Sequence, residues 1–300
     1  MNSLSFLESS SQISISESEF LLFKNYIEKI CGMVIPPEKT YLLETRLSKF
    51  MVDAGADSFG KFYDHILSDA DPLMQQKIVN AITTNETQWF RDISPWKVLE
   101  ERLLPALVDA FVSGKKKRVR IWSAAASTGQ EIYSIAMCID NYLNKNNIKK
   151  VSLSNFDFFA TDISSNVLNI AKKGRYNKIS IMRGLSDFYR TKYFAENGSA
   201  WDIDPRIRDA VKFELFNLQK DFRIFGKFDI IFCRYVLIYL SDALKREIIR
   251  RMYDTLPDGG VFFTGNYILY DLFEDAFDSN HYDNLTYYVK RVGKNESTRS

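Results

Sequence analysis

Histidine and cysteine are scarce in this chain of 300 residues, at two and three copies. Cys31, Cys138 and Cys233 stand alone, with neither metal-site spacing nor a disulfide framework, which fits a reducing cytoplasm. Cys138 and Cys233 lie in apolar contexts, where a buried thiol is the default. His65 and His281 are far apart and form no motif. The net charge is only +2, so nothing argues for a nucleic-acid partner. No Gly-Lys-Ser/Thr occurs, so a phosphate-gripping P-loop is excluded. The longest apolar run, Phe228–Leu240, contains Asp229 and Arg234 and is too short to span a bilayer. The N-terminus is Ser-rich and acidic, without the basic start or apolar stretch of a signal peptide. Metal sites and membrane insertion are therefore not expected.

What is present is 46% apolar residues, ordinary for a globular chain, in a length that suits one large or two modest domains. Residues 1–16 read as a mobile arm and 293–300 as a frayed tail. Residues 17–90 read as helices only. Phe20, Phe23, Ile27 and Ile30 recur at helical spacing before Gly32. Tyr41, Leu42, Thr45, Leu47 and Phe50 continue in a second helix closed by Gly55. Phe59–Leu67 and Pro72–Ile82 give two more. A further helix is expected over Trp96–Val112. From Val119 onward strands and helices alternate, with strands at Arg120–Ala124, Asp157–Thr161, Lys212–Leu215, Phe228–Cys233, Val261–Gly265 and Thr286–Arg291. That alternation predicts an α/β fold with a mostly parallel sheet and helices on both faces, over residues 91–292. Residues 174–211 break the rhythm and must include an insertion.

Two segments carry chemistry. Trp122-Ser123-Ala124-Ala125-Ala126-Ser127-Thr128-Gly129-Gln130-Glu131 reads as a strand, a turn of very small residues and a helix start. Small residues let a ligand lie against the backbone, and the helix aims free N–H groups at it. Phe156–Asp162 is a second apolar strand ending in an acid. An Asp there is placed to bond ribose hydroxyls, although the spacing exceeds the roughly 20 residues of dinucleotide folds. The alternative for Asp162 is a plain helix cap, and for Glu131 a carboxylate balancing a helix dipole.

These segments resemble the S-adenosylmethionine (SAM) motif of the chemotaxis receptor methyltransferases, the CheR family. Three others agree in order and spacing: Thr83–Asp92, Ala160-Thr161-Asp162-Ile163 and Phe228–Leu240. The likeness runs from about residue 20 to 292. It implies a Rossmann-like, SAM-dependent methyltransferase sheet, an all-helical N-terminal domain and a small antiparallel β insertion at 174–211. It implies SAM as cofactor, S-adenosylhomocysteine as product, and glutamates on the cytoplasmic helices of chemoreceptors as acceptors. A catalytically silent receptor-binding or SAM-sensing module is the alternative. The implied cofactor residues are Asn85, Thr87, Arg91, Ala125, Ser127, Glu131, Asp162, Asn217, Leu218, Tyr235 and Val236, with Arg91 and Tyr239 beside the reacting groups. A glutamate is already ionised at neutral pH, its pKa being about 4.3, so no general base is needed.

Departures from the family pattern are also plain. Tyr235 stands where the family has Asn after Cys-Arg, which alters the cofactor grip. Gly265 is followed by Asn266-Tyr267-Ile268 and not by Ser-Glu. Members that bind a tethering peptide at the receptor's C-terminus carry Gly-x-Gly-x-Arg/Lys in the insertion. Tyr193–Ile203 here has one Gly and no basic residue, and Glu196 and Asp202 would repel an acidic peptide. No such tether is expected, and the chain is expected to act as a monomer. Lys39, Arg46 and Lys49 share one helix quadrant, either as a docking face for an acidic acceptor helix or as a solvated face.

Overall fold

The computed structural model describes residues 14–68, 71–265, 267, 269 and 276–292. Of the expected mobile arm 1–16, residues 1–13 lie outside them, as do the tail from 293, Asn266 and Ile268; Ile15 is buried, with its N–H on Glu44 Oε1 at 2.9 Å, and Ser16 caps the first helix. The chain divides into two compact units, Met1–Thr83 and Thr84–Ser300.

The first unit is helical among its described residues. Ser16 opens Glu17–Cys31 with a reciprocal capping box to Glu19, and Gly32 closes it at φ 75°. The next helix, Thr40–Asp53, buries Leu43, Leu47 and Met51. Of the five residues expected to define that helix, only Leu47 is in the buried set, and Tyr41 is 57% exposed. The apolar stripe is rotated because Met51, not Phe50, completes the i, i+4, i+8 row. Phe59–Ser68 and Pro72–Ile82 follow, the latter capped by the Asp71 carboxylate. Arg46 is not a free docking group. Its guanidinium donates to the carbonyls of Ile82 at 2.6 Å, Ala81 at 3.3 Å and Thr83 at 3.4 Å, closing the C-terminal end of the fourth helix.

Among its described residues the second unit holds ten strands: β1 Val119–Ala124, β2 Phe156–Asp162, β3 Arg175–Asn177, β4 Phe194–Asn197, β5 Ala200–Ile203, β6 Val211–Leu215, β7 Ile230–Phe232, β8 Val261–Phe263, β9 Phe277–Tyr282 and β10 Leu285–Lys290. Seven form one sheet in the order β6-β2-β1-β7-β8-β10-β9. The first five of these run parallel, and β10 is antiparallel to both neighbours. Period-2 alternation splits the core. Val119, Ile121, Phe158, Ile230 and Phe232 pack on one face, Trp122, Phe159, Ile231 and Cys233 on the other. Strand order reverses at β1, and ligands of open α/β sheets bind at such a switch point, outside the carboxyl ends of the strands.

Three differences from the sequence reading have physical causes. The hairpin partner β9 is missed because Phe277 is its only buried residue, as befits an edge strand. The strand expected at 228–233 shortens to Ile230–Phe232, and Asp229 instead takes the Arg120 N–H at 2.7 Å and the Lys116 ammonium. The helix expected over Trp96–Val112 contains a π turn, Leu99–Leu103, just before Pro105, whose ring and missing N–H cannot continue an α ladder.

The insertion folds as a second sheet in the order β3-β5-β4, all antiparallel, with Gly198 at φ 65° in the tight turn.

Candidate active site

The turn after β1 is built on left-handed backbone. Ala125 (φ 64°), Ser127 (φ 51°) and Gly129 (φ 94°) all have positive φ. A Cβ on Gly129 would stand 3.0 Å from both the Ala171 Cβ and the Tyr133 ring, so glycine is required there. The helix Gln130–Lys145 begins directly after it. The turn is held from within, the Ala126 N–H donating to the Thr161 carbonyl at 2.9 Å and the Gly129 N–H to the Ala126 carbonyl at 3.0 Å.

Asp162 ends β2 and is 6% exposed. Its Oδ2 accepts the Ser127 N–H at 2.8 Å, and its Oδ1 accepts the Ser164 N–H at 2.9 Å. Burial pushes its pKa above the usual carboxylate range, while the N–H groups of Ser164, Ser127 and Ile163 pull it down. Both readings of this residue therefore have a basis. The carboxylate caps the start of the next segment and also fixes the small-residue turn beside it, with lone pairs remaining for hydroxyl donors.

Arg234 follows β7 and its side chain is 1% exposed. Its Nη1 lies 2.8 Å from Glu131 Oε2, and its Nη2 donates to the Arg91 carbonyl at 2.7 Å and to Asp92 Oδ2 at 2.5 Å. Glu131 Oε1 accepts the Ser123 hydroxyl at 2.8 Å. Glu131 is thus no mere counter-charge to a helix dipole; it is the anionic end of a buried ion pair. Arg234 and Asp92 were missed in the sequence. The available signal was a single Arg inside an apolar run, since a buried charge must be paired. Next to it Tyr235 sits at φ 59°, its ring 3.6 Å below the Arg91 guanidinium and its hydroxyl 2.6 Å from Asp92 Oδ2.

The segment bearing Asn85, Thr87 and Arg91 belongs to the same unit. The Asn85 carbonyl accepts the Ser127 hydroxyl at 2.9 Å, and the Phe90 N–H reaches Ser134 Oγ at 3.1 Å. Buried Trp89 anchors the segment, with its indole N–H on Ser180 O at 3.0 Å. Thr87 is half-buried between these anchors. Asn217 and Leu218 follow β6, where the Phe216 N–H bonds the Asp162 carbonyl at 2.8 Å. Val236 and Leu218 both pack against the second core face. Hydrogen bonds link Asn85, Ser127 and Asp162 in one group, and Arg91, Asp92, Glu131 and Tyr235 through Arg234 in another. Tyr239 is half-buried in a short turn, and its hydroxyl bonds no other described residue.

Comparison with known proteins decides what this site belongs to. Residues 85–278 match the model of the CheR methyltransferase SAM-binding domain, and residues 18–83 match the CheR methyltransferase all-alpha domain. The chain belongs to the CheR methyltransferase family. It is 41% identical to chemotaxis protein methyltransferase 1 of Pseudomonas aeruginosa over 84% of this chain and 90% of that protein. It is 38% identical to chemotaxis protein methyltransferase Cher2 of Pseudomonas putida over the same shares, 84% and 90%. A chemotaxis protein methyltransferase of Vibrio anguillarum is 37% identical over 84% and 90%. The reading as a SAM-dependent methyltransferase of chemotaxis stands, and not the silent-module alternative. No described helix is long and apolar enough to cross a membrane.

Proposed function

We propose that this CheR methyltransferase methylates glutamate side chains on the cytoplasmic helices of chemoreceptors. The observation that carries the reading is convergence at the strand ends. The small-residue turn after β1, Asp162 after β2, Asn217 after β6 and the Glu131–Arg234–Asp92 network after β7 meet at the switch point of the sheet. The donor set fits SAM. Small side chains line the turn, Asp162 offers lone pairs to ribose hydroxyls, and Glu131 offers an anion to an ammonium group.

When bound, SAM supplies an electrophilic methyl carbon. The chain's own residues then orient and desolvate. Asp162 holds the ribose side, with Asn217 and Leu218 toward the base, and Asn85, Thr87, Ala125 and Ser127 bordering the turn. Glu131, fixed by Arg234 and Ser123, receives the amino group. Arg91 receives a carboxylate through its planar fork. Val236 borders the cofactor and Tyr239 the acceptor side. No group needs to accept a proton, because the acceptor carboxylate is already ionised, so alignment and water exclusion supply the rate.

Receptor recognition is proposed to be direct and by the monomer, without a C-terminal tether. Arg175 on β3 pairs with Asp202 at 3.1 Å and Asn197 Nδ2 bonds the same carboxylate at 2.7 Å. Asp202 is thus neutralised, leaving exposed Glu196 on the edge strand β4 as the repelling charge. Calorimetry with a receptor C-terminal peptide tests this. Micromolar or tighter binding would refute direct recognition alone.

A further inference from the structure

We infer that Tyr235 is a positioning residue that pre-forms the anion grip of Arg91, taking over by stacking what an Asn at this position would do by direct contact. The inference deepens the proposed cofactor site and rests on that reading of Arg91.

The backbone at Tyr235 is left-handed, at φ 59°. An aromatic residue is rarely found there, whereas Asn and Gly accept it readily. Something must hold the ring in place, and contacts with Asp92 and Arg91 contribute, beside Arg234 at 5.5 Å from the ring centroid. Its hydroxyl donates to Asp92 Oδ2 at 2.6 Å, and Asp92 is itself held by Arg234 at 2.5 Å. Its ring face lies 3.6 Å from the Arg91 guanidinium carbon, which is face-to-plane stacking distance.

The geometry of stacking decides the consequence. A guanidinium stacked on a ring uses its face and keeps its in-plane N–H donors for other partners. Arg91 spends one of them on the Glu86 carbonyl, at a long 3.4 Å. Among the described residues no carboxylate pairs with it. Its neighbour Asp92 is already engaged by Arg234 and Tyr235. The result is a fixed, planar, unneutralised donor fork. The Arg91 carbonyl shares Arg234 with Glu131, so the fork sits by the group proposed to take the amino end of the methionine moiety. The matching anion is therefore that moiety's carboxylate.

The test is calorimetric. S-adenosylhomocysteine carries the amino-acid end, and methylthioadenosine lacks it while keeping the adenine and ribose. Tyr235→Gly suits the left-handed backbone and removes the ring; should it fail to fold by thermal melting, Tyr235→Ala replaces it. Tyr235→Phe keeps the ring and removes the hydroxyl. The ring-deleted variant is expected to bind S-adenosylhomocysteine about three- to thirtyfold more weakly, with methylthioadenosine affinity unchanged, and Tyr235→Phe to lie between it and the native chain. Equal weakening for both ligands, or none, overturns the positioning role while leaving the cofactor site intact. Failure of the native chain to bind S-adenosylhomocysteine would instead overturn the cofactor site and this inference with it.

Discussion

Arg234 and Glu131 form an ion pair at 2.8 Å between the end of one strand and the first turn of the helix after another, with the arginine side chain 1% exposed. It ties β7 to the turn after β1. A buried pair contributes little net stability, but deleting one partner strands the other. Arg234→Met should destabilise the chain by about 3 kcal/mol, the low end of the range for broken buried pairs, because Asp92 is 43% exposed and can turn to water. Urea denaturation measures it. A loss below about 1 kcal/mol, typical of an exposed pair, would mean that the arginine is not buried as described.

Asp162→Ala removes the partner of the Ser127 N–H and the acceptor proposed for ribose. Charge-assisted bonds contribute about 1.5–3 kcal/mol, so S-adenosylhomocysteine affinity should fall by about one to two orders of magnitude. Unchanged affinity in a folded variant would remove the ribose role and leave the turn-fixing role.

The same carboxylate sets a pH dependence. Burial raises its pKa above the usual range. Its ionised form is the proposed ribose acceptor, so affinity should decline on acidification beginning at a higher pH than an exposed Asp would give. The stability effect has the opposite sign. The folded chain holds this proton more tightly than the unfolded one, so this group's contribution falls as pH rises through the window between the two pKa values. Calorimetry against pH, with Asp162→Asn as the flat control, reads the first effect. Parallel profiles for the two proteins would contradict it.

Gly129→Ala places a Cβ 3.0 Å from Ala171 and Tyr133 on a backbone at φ 94°. Strain and crowding add, so a cost above about 1 kcal/mol is expected, lowering the melting temperature by roughly 2–4 °C or more. An unchanged melting temperature would show that the turn relaxes freely.

The parts of this fold that were readable in the sequence are those whose cause is local. Gly32, the small residues from Ala124 to Gly129, and the apolar run of β2 each state their own conformation, whereas Ser16, read as the end of a mobile arm, caps the first helix through Glu19. The parts that were not readable depend on distant partners. β9 has one buried residue and exists because β10 pairs with it. Asp202 looked like a repelling charge until Arg175, 27 positions earlier, was brought beside it. Arg46 looked like a docking charge until the fourth helix ended on it. In the site, Asp162 and Glu131 were recognisable as acids after strand and turn, but Arg234 and Asp92 acquire their meaning only when β1 and β7 lie side by side.

Transfer itself is the most direct test of the central claim. The purified chain would be incubated with SAM tritiated on the methyl group and a chemoreceptor cytoplasmic fragment whose methylation-site glutamates are either intact or replaced by alanine. The account predicts base-labile label, released as methanol, on the intact fragment, little on the alanine fragment, and at least tenfold less with Asp162→Ala at SAM concentrations below saturation, in line with the affinity loss argued above. Tight S-adenosylhomocysteine binding with no base-labile label on any receptor fragment would contradict it.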